Sequence, residues 1–395
     1  MTYTPSKLAE EAIALHKKFQ GKIAIKPLYK VADKHTLSLA YTPGVADVSM
    51  AVHAKPELAY DLTCKGRMAA VVTDGTRVLG LGDIGPLGAL PVMEGKCMLL
   101  KAFGGVDAVP ICLDTKNEEE IIRTVKAIAP SFGAILLEDI ESPKCFSVER
   151  RLEAELDVPV FHDDQHGTAI VALAGLINAL KLTGREDKKT VRIVIAGCGA
   201  AGVAIARLLH AYGFRQISVA DSKGAICKER TDLEEYKKEL LPILAQTQQM
   251  PLKQLLKNAD VFVGASAPNI LGSEDIKAMA PKAIVFALSN PMPEISSEAA
   301  HTGGAAIYGS GRSDLPNQIN NALGFPGIFR GLLACRARKM SMGMKLAAAQ
   351  AIAKLAAKEG LAVDKIVPDP FNKRMSKVVA KAVMKAAKKE GLARA

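Results

Sequence analysis

The chain has no tryptophan, aromatic residues make up only 5 %, and no stretch reaches the ~20 uninterrupted apolar residues of a membrane-spanning helix. No membrane association is therefore expected. Few stacking platforms and no aromatic-basic interleaving leave nucleic-acid binding without support beyond charge. The start, Met1-Thr2-Tyr3-Thr4-Pro5, lacks a basic region followed by an apolar run, so no secretory leader is expected. The seven cysteines are odd in number and include no Cys-x-x-Cys pair. They read as free thiols in a reducing compartment, which points to the cytoplasm.

What is present suits a globular enzyme of two domains. At 395 residues the chain exceeds one typical core, and 49 % hydrophobic content can fill two. The net charge of +11 is concentrated at the end, where eight basic residues fall between Lys373 and Arg394. Val378, Val379, Ala382, Val383 and Ala386 occupy another face of the same stretch, so the lysines read as the solvated side of an amphipathic helix. A positive field of this kind also raises the encounter rate with small dianionic acids.

Apolar runs alternate with helical patterns. Strands are expected at Met68–Thr73, 78–81, 106–113, Ala134–Leu137 and 158–161, with helices at 88–103, 118–129 and 147–156. A second series has strands at 191–196, 217–220, 261–264, 284–287 and 305–307, with a long polar helix at 233–245. Alanine-rich helices follow Pro326. The class is α/β: an N-terminal α/β domain (1–163), then a doubly wound Rossmann-type domain with C-terminal helices (164–395).

Gly197-x-Gly199-x-x-Gly202 lies between an expected strand and an expected helix, with Ala200 and Ala201 inside the turn. Asp221 follows Gly202 by 19 positions at the next strand end, close to the ~20 of dinucleotide sites. The helix start then faces a pyrophosphate. Asp221 suits a ribose 2′-hydroxyl and hence NAD, whereas the adjoining Ser222 and Lys223 suit a 2′-phosphate; NAD and NADP both stay open. Glu138-Asp139 and Asp163-Asp164 end two strands of the first series, where open α/β sheets bind ligands. Carboxylates gathered there repel one another unless a cation joins them. All-oxygen donors favour Mg²⁺ or Mn²⁺. Zinc on His162 and His166 is the competing reading.

The runs Ser38-Leu39-Ala40-Tyr41-Thr42-Pro43-Gly44, Thr73-Asp74-Gly75-Thr76-Arg77, Glu94-Gly95-Lys96, Leu137-Glu138-Asp139-Ile140, His162-Asp163-Asp164-Gln165-His166-Gly167-Thr168, Leu288-Ser289-Asn290-Pro291 and Asn320-Asn321-Ala322-Leu323-Gly324-Phe325-Pro326-Gly327 stand in this order. In that order they resemble the short bacterial-type members of the malic enzyme family, over roughly positions 10–390. The resemblance implies oxidative decarboxylation of malate to pyruvate and CO₂ with NAD or NADP and Mg²⁺ or Mn²⁺. Decarboxylation of oxaloacetate is implied too. Tyr41 matches the family's general acid, Lys96 its general base and Asp163 the lysine's partner. Glu138, Asp139 and Asp164 match metal ligands, and Arg77 the clamp on a substrate carboxylate. Asn290 and Asn321 match residues contacting substrate or nicotinamide, with Asn320 as their companion. To act as a base near neutrality, Lys96 is expected to have a depressed pKa. The resemblance also implies a homodimer or larger assembly, in which Tyr41 or Lys96 can belong to a neighbouring subunit's site. Rival readings are a metal-free amino-acid dehydrogenase, a malolactic-type enzyme releasing lactate, and a non-catalytic dinucleotide-sensing protein.

Overall fold

Short apolar runs separated by helices form two parallel sheets in a computed structural model that describes residues 7–395. The leader reading of the first five residues lies outside the described residues. The first sheet contains β1 (Met68–Thr73), β2 (Asp107–Cys112), β3 (Ala134–Leu137) and β4 (Val160–His162) in the order β2-β1-β3-β4. The second contains β5 (Arg192–Ala196), β6 (Gln216–Asp221), β7 (Gly224–Ala225), β8 (Val261–Gly264), β9 (Ala283–Ala287) and β10 (Ala305–Ser310). Their order is β10-β9-β8-β5-β6-β7, parallel except for β7. The order reverses beside β5, so a crevice opens at the carboxyl ends of β5 and β8, as in Rossmann-type folds.

Successive side chains of a strand point to opposite faces, and here both faces are apolar. Ala69 and Val71 of β1, Ile193 and Ile195 of β5, and Ile284 and Phe286 of β9 all join one core lying between the sheets. Their alternates go outward: Ala70 and Val72 to one cluster, Val194, Ala196, Val285 and Ala287 to another. The Asp163–Thr183 helix fills the shared layer. It has 21 residues and is apolar enough to cross a membrane, but 72 % of its most apolar window is buried inside the protein. It is a core helix. The basic C-terminal segment forms the Met375–Lys389 helix, which buries Met375, Val379, Ala380, Val383 and Ala387 and leaves its lysines in solvent.

Two expected elements differ. Residues 78–81 are not a strand: the Val78 N–H donates to Gly82 O at 2.9 Å, and Leu79 takes φ +49°, which breaks an extended run. The polar stretch 233–245 is helical only at Glu235–Lys238, with a 3₁₀ turn at Leu241–Ile243. Pro242 has no N–H to continue a helix. The Lys7–Phe19, Lys34–Ala40 and Gly44–Ala54 helices bury no residue at all.

Candidate active site

Strand ends deliver the acids. β3 stops at Leu137 and releases Glu138 and Asp139; β4 stops at His162 and the core helix starts at Asp163. Asp139 adopts φ +55°, and its N–H donates to Asp164 Oδ2 at 2.9 Å, which draws the two loops together. One carboxylate oxygen each from Glu138, Asp139 and Asp164 lies within 4.8 Å of the others. Glu138 Oε2, Asp139 Oδ2 and Asp163 Oδ1 are buried without a hydrogen-bond partner among the described residues. Buried anionic oxygens without donors are costly, and a divalent cation is the group that relieves them. Burial, and then Asp164, pushes Asp139 up to about 7; burial also raises Glu138 and Asp163. His162 is fully buried, with Nε2 3.9 Å from Asp164 Oδ2. His166 Nε2 lies 3.0 Å from Glu149 Oε2, and the metal-capable cluster among the described residues contains neither histidine, which gives the zinc reading no support.

Lys96 comes from the Gly85–Leu99 helix and is 8 % exposed. Its Nζ lies 2.6 Å from Asp163 Oδ2 and 2.8 Å from Glu138 Oε1, and 4.7 Å from the centre of the Phe325 ring. Burial alone lowers its pKa, but Asp163 and Glu138 outweigh burial and hold it above the ordinary lysine range. The expectation of a depressed value is therefore wrong for this arrangement. The reason is that Glu138 faces Lys96 as well as the acid cluster.

Arg77 is exposed, and its guanidinium has no hydrogen-bond or ion-pair partner among the described residues. Its backbone N–H is anchored on Asp139 O at 3.0 Å. The loop after it meets the second domain, since a Cβ at Gly80 would lie 2.3 Å from Asn290 O. Asn290 is therefore at the mouth of the cleft. Asn321 lies beside Asp163: both its Cβ and Asp163 Oδ1 sit against Gly167, where a Cβ would meet them at 2.9 and 1.9 Å. Asn320 Oδ1 is engaged within its own loop. Its side chain caps the next turn, accepting from Ala322 N–H at 2.9 Å. Tyr41 is 66 % exposed and bonds to none of these groups among the described residues.

The glycine-rich turn follows β5. Gly197 has φ +104°, and a Cβ there would meet Ala265 O at 2.1 Å; a Cβ at Gly202 would meet Gly197 O at 1.9 Å. Gly199, Ala200 and Ala201 open the next helix, with Gly199 facing Ser142 of the first domain across the cleft. Asp221 ends β6. Its Oδ1 accepts from Arg230 at 2.7 Å and from Lys223 N–H at 2.9 Å, and its Oδ2 from Lys237 at 3.2 Å. The Lys223 ammonium turns instead to Asp232, at 2.7 Å. Sequence reasoning missed Phe325 and Glu294. Glu294 is fully buried and accepts from Ser266 N–H at 2.8 Å and Ser289 N–H at 3.2 Å, joining the loops after β8 and β9. An acid directly after the Pro291-Met292-Pro293 turn was the only available signal.

Both halves of the chain match described families. Residues 20–153 match the malic enzyme N-terminal domain, and residues 165–388 the malic enzyme NAD-binding domain. The chain belongs to the malic enzyme family. It is 51 % identical over 389 residues to a bifunctional malic/malolactic enzyme of Bacillus subtilis (strain 168), covering 98 % of this chain and 95 % of that one. It is 52 % identical over 377 residues to an NAD-dependent malic enzyme of Geobacillus stearothermophilus, covering 95 % and 78 %. A crystal structure of an NAD-dependent malic enzyme from Thermotoga maritima superposes with a TM-score of 0.91 at 45 % identity, covering 94 % of this chain and 98 % of that one. In this malic enzyme Glu138 and Asp139 of the acid cluster lie in the first matched region, and Asp164 immediately precedes the second.

Proposed function

We propose that this malic enzyme oxidises L-malate at C2 and decarboxylates it to pyruvate and CO₂, reducing NAD, with a Mg²⁺ or Mn²⁺ ion held by Glu138, Asp139 and Asp164. The observation that carries the reading is the buried acid cluster with unpartnered oxygens beside Lys96. Arg77, free of any internal carboxylate, takes a malate carboxylate in bidentate fashion. Lys96 removes the C2 hydroxyl proton as the hydride leaves for the nicotinamide. Two carboxylates favour its ammonium form, so the amine form requires one of them to be neutralised; Glu138, facing both Lys96 and the cluster, is placed for this. The ion, when bound, polarises the C2 oxygen and holds the charge left by CO₂. Oxaloacetate, already oxidised at C2, enters at the decarboxylation step. Tyr41 then delivers a proton to C3.

More than half of the exposed large apolar side chains among the described residues lie between Leu8 and Met50, on three helices that bury nothing and the segments that join them. We infer that this arm packs in a homodimer and carries Tyr41 into the neighbouring subunit's cleft.

Asp221 favours NAD. Its ionised carboxylate stands where a 2′-phosphate would go, and Arg230 is already engaged by Asp232 and Asp221. The decisive assay follows reduced-nicotinamide absorbance with malate and Mn²⁺ and compares the two cofactors. NAD should give a kcat/KM at least ~10-fold above NADP, the worth of one ~1.4 kcal/mol interaction. No reduction of either cofactor would sink the function, and equal use would sink the role of Asp221. Lactate in place of pyruvate would instead select the malolactic chemistry in the Bacillus relative's name. Asp164→Asn should raise the Mn²⁺ concentration for half-maximal activity by at least ~10-fold, as loss of a ligand does. An unchanged requirement would remove Asp164 from the metal set.

A further inference from the structure

Behind the acid cluster, on the far side of the core helix start, a second cavity of about 230 Å³ opens between the Lys144–Glu155, Asp163–Thr183 and Ala200–Tyr212 helices. Its polar wall includes Glu149, Glu153, His166 and Lys345, with Arg150, Arg207 and Glu239 also on the lining. Lys345 is 8 % exposed and has no carboxylate within ion-pair distance among the described residues; its partner is His166 Nε2 at 3.1 Å. That same nitrogen lies 3.0 Å from Glu149 Oε2. A single ring nitrogen cannot donate to Glu149 and accept from Lys345 at once. Glu149 also accepts from His162 N–H at 2.8 Å and from the Gln165 amide at 2.9 Å, and is held down to about 2 against its burial by His166 and Lys345. The ionised Glu149 claims the Nε2–H, which leaves the Lys345 amine on the cavity wall without an acceptor. Burial lowers its pKa, against Glu149 and Glu153, which raise it; an incoming anion is what would hold it as an ammonium.

The remaining walls say what kind of anion. Phe146 and Tyr236 stack at 4.9 Å between ring centroids along one side, a flat apolar surface. Arg207, at the rim, is bound to Glu239 and does not compete for the ligand. Glu153 shares the cavity; burial, and then Glu149, pushes it up to about 7, so it is partly protonated near neutrality and its repulsion is weak. The volume lies below the ~300 Å³ at which drug-sized sites begin. We propose that this cavity binds a small organic carboxylate, its charge on Lys345 and its planar body on Phe146 and Tyr236, at a site separate from the malate cleft.

Benzoate is the probe, followed by isothermal titration calorimetry on the intact enzyme without malate. Wild type should bind it, Lys345→Met should bind at least ~10-fold more weakly through loss of one charge-assisted bond, and Arg77→Ala should bind within ~2-fold of wild type. Lys345→Met should melt at or above the wild-type temperature, because it removes a buried amine that has no ion-pair partner and keeps the stem. If it fails to fold, Met342→Trp, at a 40 % exposed position on the rim, closes the cavity and should abolish binding instead. Binding lost in Arg77→Ala and kept in Lys345→Met would place benzoate in the malate cleft and overturn the proposal. No binding by wild type would overturn it too. Neither outcome touches malate turnover, which is measured separately.

Discussion

Lys96→Ala should lose malate oxidation by about 10³-fold or more in kcat, the upper part of the range for a removed general base. Dinucleotide affinity should stay unchanged, because Lys96 sits on the first domain and the glycine turn on the second. The substitution also leaves Glu138 and Asp163 facing each other without their ammonium, so a second variant is needed to separate chemistry from folding. Lys96→Arg supplies it: the guanidinium keeps the positive charge against both acids but cannot be deprotonated near neutral pH. Both variants should be inactive, and the arginine variant should melt near the wild-type temperature. Oxaloacetate bypasses the hydroxyl proton, so Lys96→Ala should lose less decarboxylase activity with it than it loses with malate. Wild-type malate turnover by either variant would remove Lys96 as the base.

This test addresses a tension that only the coordinates reveal. From sequence, a catalytic lysine is expected to be depressed toward neutrality; in the folded chain two carboxylates hold it in the ammonium form. The sequence marks which residue types sit at strand ends, but not which of four acids the lysine reaches. Glu138 turned out to serve both the lysine and the acid cluster.

Legibility followed range. β1, β5, β8 and β9 could be read because both faces are buried, which makes each run apolar throughout. The turn at Gly197 could be read because its backbone tolerates no other residue. Phe325 under Lys96 and Glu294 between two loops could not, since each works through partners far away or through backbone amides that leave no side-chain pattern. Asn320, expected as a companion ligand, also caps the turn at Ala322 through its Oδ1; a side-chain amide can do both, and nothing in the sequence marks the cap. The 78–81 run misled because two glycines and a left-handed Leu79 turn it back toward the cleft.

The N-terminal arm yields the other large effect. If Tyr41 serves a neighbour's site, then Tyr41→Phe and Lys96→Ala homodimers are each impaired, yet a mixed dimer rebuilds one intact site. In that dimer the Lys96→Ala chain supplies a good tyrosine and the Tyr41→Phe chain a good lysine, while the opposite site carries both defects. Equimolar random exchange makes half the dimers mixed, with one of two sites complete. Activity should therefore rise on mixing to roughly a quarter of wild type. Were Tyr41 and Lys96 to act within one chain, each site of the mixed dimer would hold one defect and mixing would restore nothing. The measurement is malate-dependent NAD reduction after subunits are exchanged in mild denaturant and returned to buffer, with wild type taken through the same cycle. Failure of the mixture to exceed the sum of its parts, while that control recovers, would return Tyr41 to its own subunit and leave the bare apolar helices needing another occupant.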